Sequence, residues 1–121
     1  MSAPTPSQAA GYEALVNGDE DICAMREEYR RRRNFIVASL QEMGLDCFPP
    51  KGAFYVFPSI QKTGLTSNDF AVRLLEEQNV ACVPGTAFGV CGEGFLRCSY
   101  ATGMEQLKEA MERIGRFLKT I

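Results

Sequence analysis

Two apolar stripes at helical spacing bracket three short β-type runs, and that layout limits the folds open to this 121-residue chain. The first stripe is Ile22, Met25, Tyr29, Ile36, Leu40 and Met43, with Arg33 on the same track. Steps of three and four place these residues on one face of a helix, expected over about 21–43. Asp19, Glu20 and Asp21 lie where negative charge suits a helix N-terminus, and Gly44 ends the run. The second stripe is Met104, Leu107, Met111, Ile114, Leu118 and Ile121, opened by Gly103. Between the stripes, residues 53–57, 80–83 and 95–100 are β-branched or aromatic runs, bounded by Pro and Gly, and predict strands. A helix capped by Thr66 or Ser67, with Phe70, Ala71, Leu74 and Leu75 facing inward, separates the first two strands. Near the start, Pro4 and Pro6 favour an extended lead-in, followed by a short helix over 8–16 that Asn17-Gly18 ends. Strands joined through helices predict an α/β architecture: a small sheet of about three or more strands packed with helices. The chain divides into residues 1–20, a lead-in segment and short helix, and residues 21–121, a small folded domain.

Composition narrows the function. A net charge of −2 argues against nucleic acid as a partner, because phosphate binding needs a basic surface. Residues 1–10 have no basic start and no apolar run, so no signal peptide is expected. No stretch approaches the roughly 20 apolar residues of a membrane helix, so no membrane partner is expected either. There is no histidine, which removes the commonest general base and the commonest metal ligand. The cysteines, 23, 47, 82, 91 and 98, are odd in number and lack C-x-x-C spacing. Neither a zinc site nor a disulfide framework is expected; reduced thiols in a cytoplasmic protein are. No glycine-rich nucleotide fingerprint or P-loop is present.

The chemistry concentrates near the third strand. Gly85, Gly89, Gly92 and Gly94 follow Pro84 closely, in a loop suited to unusual backbone angles and close approach. Arg97 then lies inside an apolar strand. By alternation it shares a face with Phe95 and Ser99, while Leu96, Cys98 and Tyr100 face the other way. A guanidinium there needs a partner. Two fit: a ligand carboxylate, bound by two parallel hydrogen bonds, or a protein carboxylate such as Glu93 or Glu105. The Arg30–Arg33 run reads as a solvated helix face, with Glu27 and Glu28 four residues ahead of Arg31 and Arg32.

Three segments carry a resemblance. Pro50-Lys51-Gly52-Ala53-Phe54-Tyr55-Val56-Phe57, Val83-Pro84-Gly85-Thr86-Ala87-Phe88-Gly89 and Phe95-Leu96-Arg97-Cys98-Ser99-Tyr100-Ala101 resemble, in order and at similar spacing, motifs of the C-terminal domain of class I/II aminotransferases. These are fold type I enzymes that use pyridoxal 5′-phosphate. The opening 2–10 is similar to the segment that follows their cofactor lysine. The resemblance implies that Arg97 binds the substrate α-carboxylate and that Gly52 and Phe54 edge the substrate site. Phe88 and Gly89 match a loop that shapes the wall of the small domain. It also implies a homodimer, a larger domain preceding this one, and an amino acid and a 2-oxo acid as substrates. None of Lys51, Lys62, Lys108 and Lys119 matches the Schiff-base lysine. No catalytic, cofactor-binding or metal residue is therefore expected in this chain, which is expected to be inactive alone. The alternatives are a stand-alone module that binds amino or keto acids without catalysis, and a dimerisation module.

Overall fold

The computed structural model describes residues 2–121. Helix α1 spans Thr5–Asn17 and α2 spans Asp19–Glu42. Strand β1 (Tyr55–Val56), α3 (Ser67–Gln78), β2 (Val83–Pro84), β3 (Leu96–Ser99) and α4 (Met104–Leu118) follow. Short 3-10 turns at Gln61–Thr63, Gly85–Phe88 and Val90–Gly92 fill the connections. The expected α/β class holds: three helices pack on one face of a small sheet.

The sheet order is β1-β3-β2, antiparallel throughout. Tyr55 opposes Ser99 and Val56 opposes Cys98; on the other edge Val83 opposes Arg97 and Pro84 opposes Leu96. Backbone bonds carry the β1 edge further, from Leu96 N to Pro58 O (3.1 Å) and from Ile60 N to Gly94 O (2.8 Å). Val56, Leu96 and Cys98 turn inward. There they join Ile36 and Leu40 of α2, Phe70 and Leu74 of α3, and Leu107, Ile114 and Phe117 of α4 in one core. Helix α4 packs against both α2 and α3. Phe70 and Phe117, both fully buried, meet edge to face with centroids 5.0 Å apart.

Several local expectations shift. Helix α1 begins at Thr5, not at residue 8: Pro4 sits at the N-cap and Pro6 in the first turn, where no backbone donor is required. Helix α2 starts at Asp19, two residues early. Its stripe buries only from about Tyr29 onward. Ile22 and Met25 are roughly half exposed (49% and 55%), because no described element lies over them, and α1 buries no residue. In α3, Leu75 is exposed, since the inward arc centres on Phe70, Ala71 and Leu74. In α4 the stripe closes on Phe117, not on Ile121, which lies beyond the helix and is exposed.

The strands are shorter than the apolar runs. Ala53 takes a left-handed backbone (φ 59°), which stops the first run before Tyr55. That conformation costs a non-glycine residue of the order of 1–3 kcal/mol and persists only where neighbours hold it. Here Tyr100 holds it: its hydroxyl donates to Ala53 O (2.8 Å) and its N–H to Phe54 O (2.9 Å). Burial pushes the Tyr100 phenol up, so the group stays a donor. The second run pairs at 83–84, not 80–83, because the ladder to β3 begins only at Val83.

Thr66 caps α3, accepting from Asp69 N (3.1 Å). Ser67 does something else. It is fully buried, and its hydroxyl accepts from Gly94 N (2.8 Å) and Phe95 N (3.2 Å). Glu93 reaches back to accept from Ser67 N (2.8 Å). These bonds dock the glycine loop onto the start of α3. Within that loop the backbones of Gly85 and Gly92 touch, so a Cβ on either would overlap the other's carbonyl.

Two stability predictions follow from these contacts. Ser67→Ala leaves the buried Gly94 amide without its acceptor and should destabilise the fold by about 1–3 kcal/mol in urea unfolding. Tyr100→Phe, which keeps the ring and loses the hydroxyl, should cost about 1 kcal/mol and raise amide exchange around residues 50–54.

Candidate functional site

The face of the sheet turned away from the helices carries the site. Alternation along β3 buries Leu96 and Cys98 and brings Arg97 and Ser99 to the open side. Register adds what alternation cannot. Pairing Tyr55 with Ser99 and Val83 with Arg97 brings side chains of both flanking strands to that same face. The Gly85–Phe88 turn then carries Phe88 over it, and Gly89, at φ 122°, makes the reversal that follows.

The outcome is a guanidinium between two rings. Arg97 Cζ lies 4.4 Å from the Tyr55 ring centroid and 4.8 Å from that of Phe88. Phe57 braces Phe88 edge to face at 5.7 Å. Each cation–π contact at such a half-exposed site is worth about 0.5–1 kcal/mol. That is enough to orient the planar group, and it uses the faces of the guanidinium without using its N–H donors.

The protein carboxylates proposed as partners are engaged elsewhere. Glu93 accepts from Ser67 N, and Glu105 pairs with Lys108 at 3.0 Å. Among the described residues, Arg97 takes part in no ion pair. The site therefore presents a positioned, half-buried cation whose hydrogen-bonding edge is free of protein carboxylates.

Phe54 reaches this centre through Tyr55, while Gly52 lines an adjoining cleft that does not include Arg97. Gly52 is exposed, with no atom within 4 Å of where a Cβ would sit, so its own packing does not require glycine. The Phe54 ring lies 4.6 Å from that of Tyr55 and 6.2 Å from Tyr29 of α2. It thus connects to Arg97 through Tyr55. Both residues line a cleft of about 370 Å³ against α2, together with Arg26, Arg30 and Lys51. Of the α2 arginines, Arg31 and Arg32 both pair with Glu28, whose carboxyl they hold below its usual range, Arg32 contributing most.

Lys62 pairs with Asp46 (2.9 Å), Lys108 with Glu105, and Lys51 and Lys119 are exposed. The described residues hold no cluster of three or more His, Cys, Asp or Glu that could bind a metal, and no helix is long and apolar enough to cross a membrane.

The sequence singles out Arg97, whereas the two rings that clamp it are seen only in the structure. Tyr55 falls in the run expected as a strand, and Phe88 in the loop expected to shape the small-domain wall. The usable signal was parity: Tyr55 and Phe57 share a face, opposite Val56. Matching that face to Arg97 needed the β1–β3 register, which only pairing supplies.

Comparison with known proteins places the chain. The family profile "Aminotransferase class I and II" matches residues 1–114. A putative aminotransferase, YugH, of Bacillus subtilis (strain 168) is 55% identical over 118 residues, covering 98% of this chain and 31% of the relative. Aromatic-amino-acid aminotransferase 2 of Thermococcus litoralis is 54% identical over 95 residues, covering 78% of this chain and 24% of its own length. Among solved structures, an aromatic aminotransferase from Pyrococcus horikoshii superposes with a TM-score of 0.82 at 54% identity, over 84% of this chain and 27% of that one. Aspartate aminotransferase from Thermus thermophilus, determined with maleate, gives 0.83 at 42% identity, over 95% and 30%. The chain spans about a third of the length of the relatives it matches. With sequence motifs, sheet topology and family profile in agreement, the chain belongs to the class I and II aminotransferase family.

Proposed function

We propose that this chain is the small, substrate-gripping domain of a pyridoxal-phosphate-dependent aminotransferase, with Arg97 binding the substrate α-carboxylate. One observation carries the reading: Arg97 is held between Tyr55 and Phe88 on the open sheet face, with no protein carboxylate paired to it. Family membership and the one-third span support the rest. The remaining two-thirds of such an enzyme would supply the cofactor, its lysine and most of the side-chain pocket. Residues 1–20 are then a lead-in to that larger domain and residues 21–121 the small domain. The exposed Tyr12, Leu15, Val16, Ile22 and Met25 support this, being apolar surface that a neighbouring domain would cover. A homodimer is the expected assembly, with an amino acid and a 2-oxo acid as substrates and the cytoplasm as compartment.

The chemistry asked of this chain is positional. A guanidinium takes a carboxylate through two parallel N–H···O bonds, which fixes direction as well as distance. Held that way, the substrate Cα–H bond has one orientation relative to the larger domain. The two rings limit guanidinium rotation, so part of the ordering entropy is lost before the substrate arrives. Gly52 and Phe54 edge the same site, where the absent Cβ of Gly52 leaves room for a ligand beside the turn.

The test uses the full-length protein that carries this sequence. Arg97→Ala should raise KM and lower kcat, with kcat/KM falling by about 10²-fold or more, as expected for loss of a desolvated charge pair. Arg97→Lys keeps the charge, loses the fork and should recover only part of that. Wild-type kinetics in Arg97→Ala would remove the assignment. Phe88→Ala should loosen the clamp and raise KM several-fold, by about 1 kcal/mol, with a smaller effect on kcat.

A further inference from the structure

Cys82 and Cys98 face one another on the core side of the sheet, opposite the Arg97 face. Their Sγ atoms are 3.6 Å apart. Val83 pairs with Arg97 in antiparallel register, so the next step outward sets Cys82 across from Cys98. Directly opposed antiparallel residues have Cα atoms about 4.5–5.5 Å apart, within the span a disulfide bridges. Closing the remaining Sγ separation takes a side-chain rotation and leaves strand pairing in place.

We infer that Cys82 and Cys98 are a redox-active thiol pair that a small hydroperoxide oxidises to a disulfide, stapling β2 to β3. This inference does not depend on the role proposed for Arg97. Access comes from a cleft of about 300 Å³, lined by both cysteines together with Thr102, Gln106, Ala110 and Arg113. Cys82 is the partly exposed member and Cys98 the buried one. The contact between them divides their roles. The hydrogen bond between them pulls the Cys82 thiol down and, together with burial, pushes Cys98 well up. The accessible sulfur is the better thiolate, as a peroxide-reactive thiol requires, and the buried one keeps its proton until the second step.

The steps balance. The Cys82 thiolate attacks one peroxide oxygen, the O–O bond breaks, and the departing hydroxide takes a proton to leave as water. Cys82 is now a sulfenic acid. Cys98 Sγ attacks Cys82 Sγ, the S–O bond breaks, and the hydroxide leaves as water with the Cys98 proton. Two thiols have been oxidised to one disulfide and one hydrogen peroxide reduced to two waters (an organic hydroperoxide would give one water and an alcohol).

Neither exposed cysteine, Cys23 or Cys91, is needed for this, and both would confuse the readout. The test is therefore made on the purified Cys23→Ser/Cys91→Ser protein, treated with hydrogen peroxide and digested with trypsin without reduction. Expected are a mass loss of two hydrogens, disappearance of two of the three thiols left in this sequence, and peptide 74–97 joined to 98–108, or an uncut 74–108 peptide two hydrogens light. Dithiothreitol should reverse all of these. In a parallel Cys98→Ser variant, Cys82 should stop at the sulfenic acid and be trapped by dimedone. Retention of all three thiols, over-oxidation of Cys82 without a link, or a link to Cys47 in place of Cys98 would each overturn the inference.

Discussion

Strand β3 is bonded to β1 on one edge and β2 on the other, and it separates two chemistries by alternation alone. Leu96 and Cys98 turn toward the helices and are nearly sealed from water, while Arg97 and Ser99 turn outward. The buried side chains set the strand's registration against the core. A slip of one residue would bury the guanidinium and expose Leu96 and Cys98, a cost that fixes the register firmly. The Arg97 face is thus positioned by the hydrophobic effect acting on the opposite face. The arginine can stay unpaired because its neighbours are so strongly determined.

The loops around β3 hold the geometry in a different way. Ser67, Glu93 and the Gly85–Gly92 contact tie the glycine loop to the first turn of α3, so the turn bearing Phe88 has little freedom. Tyr100 does the same on the other side, holding the left-handed Ala53 and with it the turn at Gly52. Both anchors use buried polar groups with every partner in place, an arrangement that specifies a conformation more sharply than apolar packing does. The role proposed for Arg97 would benefit from this stiffness, because two parallel hydrogen bonds tolerate little error in angle.

The N-terminal end of the described residues is less well covered. The α2 stripe has ideal periodicity, yet its first turns and all of α1 lack a covering layer. Periodicity reports which side of a helix is apolar, not whether another surface meets it. The chain spans about a third of the relatives' length, and these side chains are apolar surface among the described residues. The thiol pair is independent of that surface, lying behind the sheet where β2 meets β3 and α4.

The sequence by itself determined the class of fold, the helix identities and the exceptional status of Arg97. Those features rest on local periods of 3.6 and 2 residues and on the cost of a charge in an apolar strand, all visible within a few positions. The three motif segments also identified the family. What only the tertiary structure decided were the non-local relations. Strand lengths depended on ladder bonds and on the left-handed Ala53, which no propensity favours. Phe117 displaced Ile121 because Phe70 on another helix was there to meet it. Tyr55 and Phe88 became the clamp on Arg97, and Cys82 came opposite Cys98, because antiparallel register joins residues that are far apart in the chain. Register is set by burying whole faces at once, and a sequence read one segment at a time does not contain that sum.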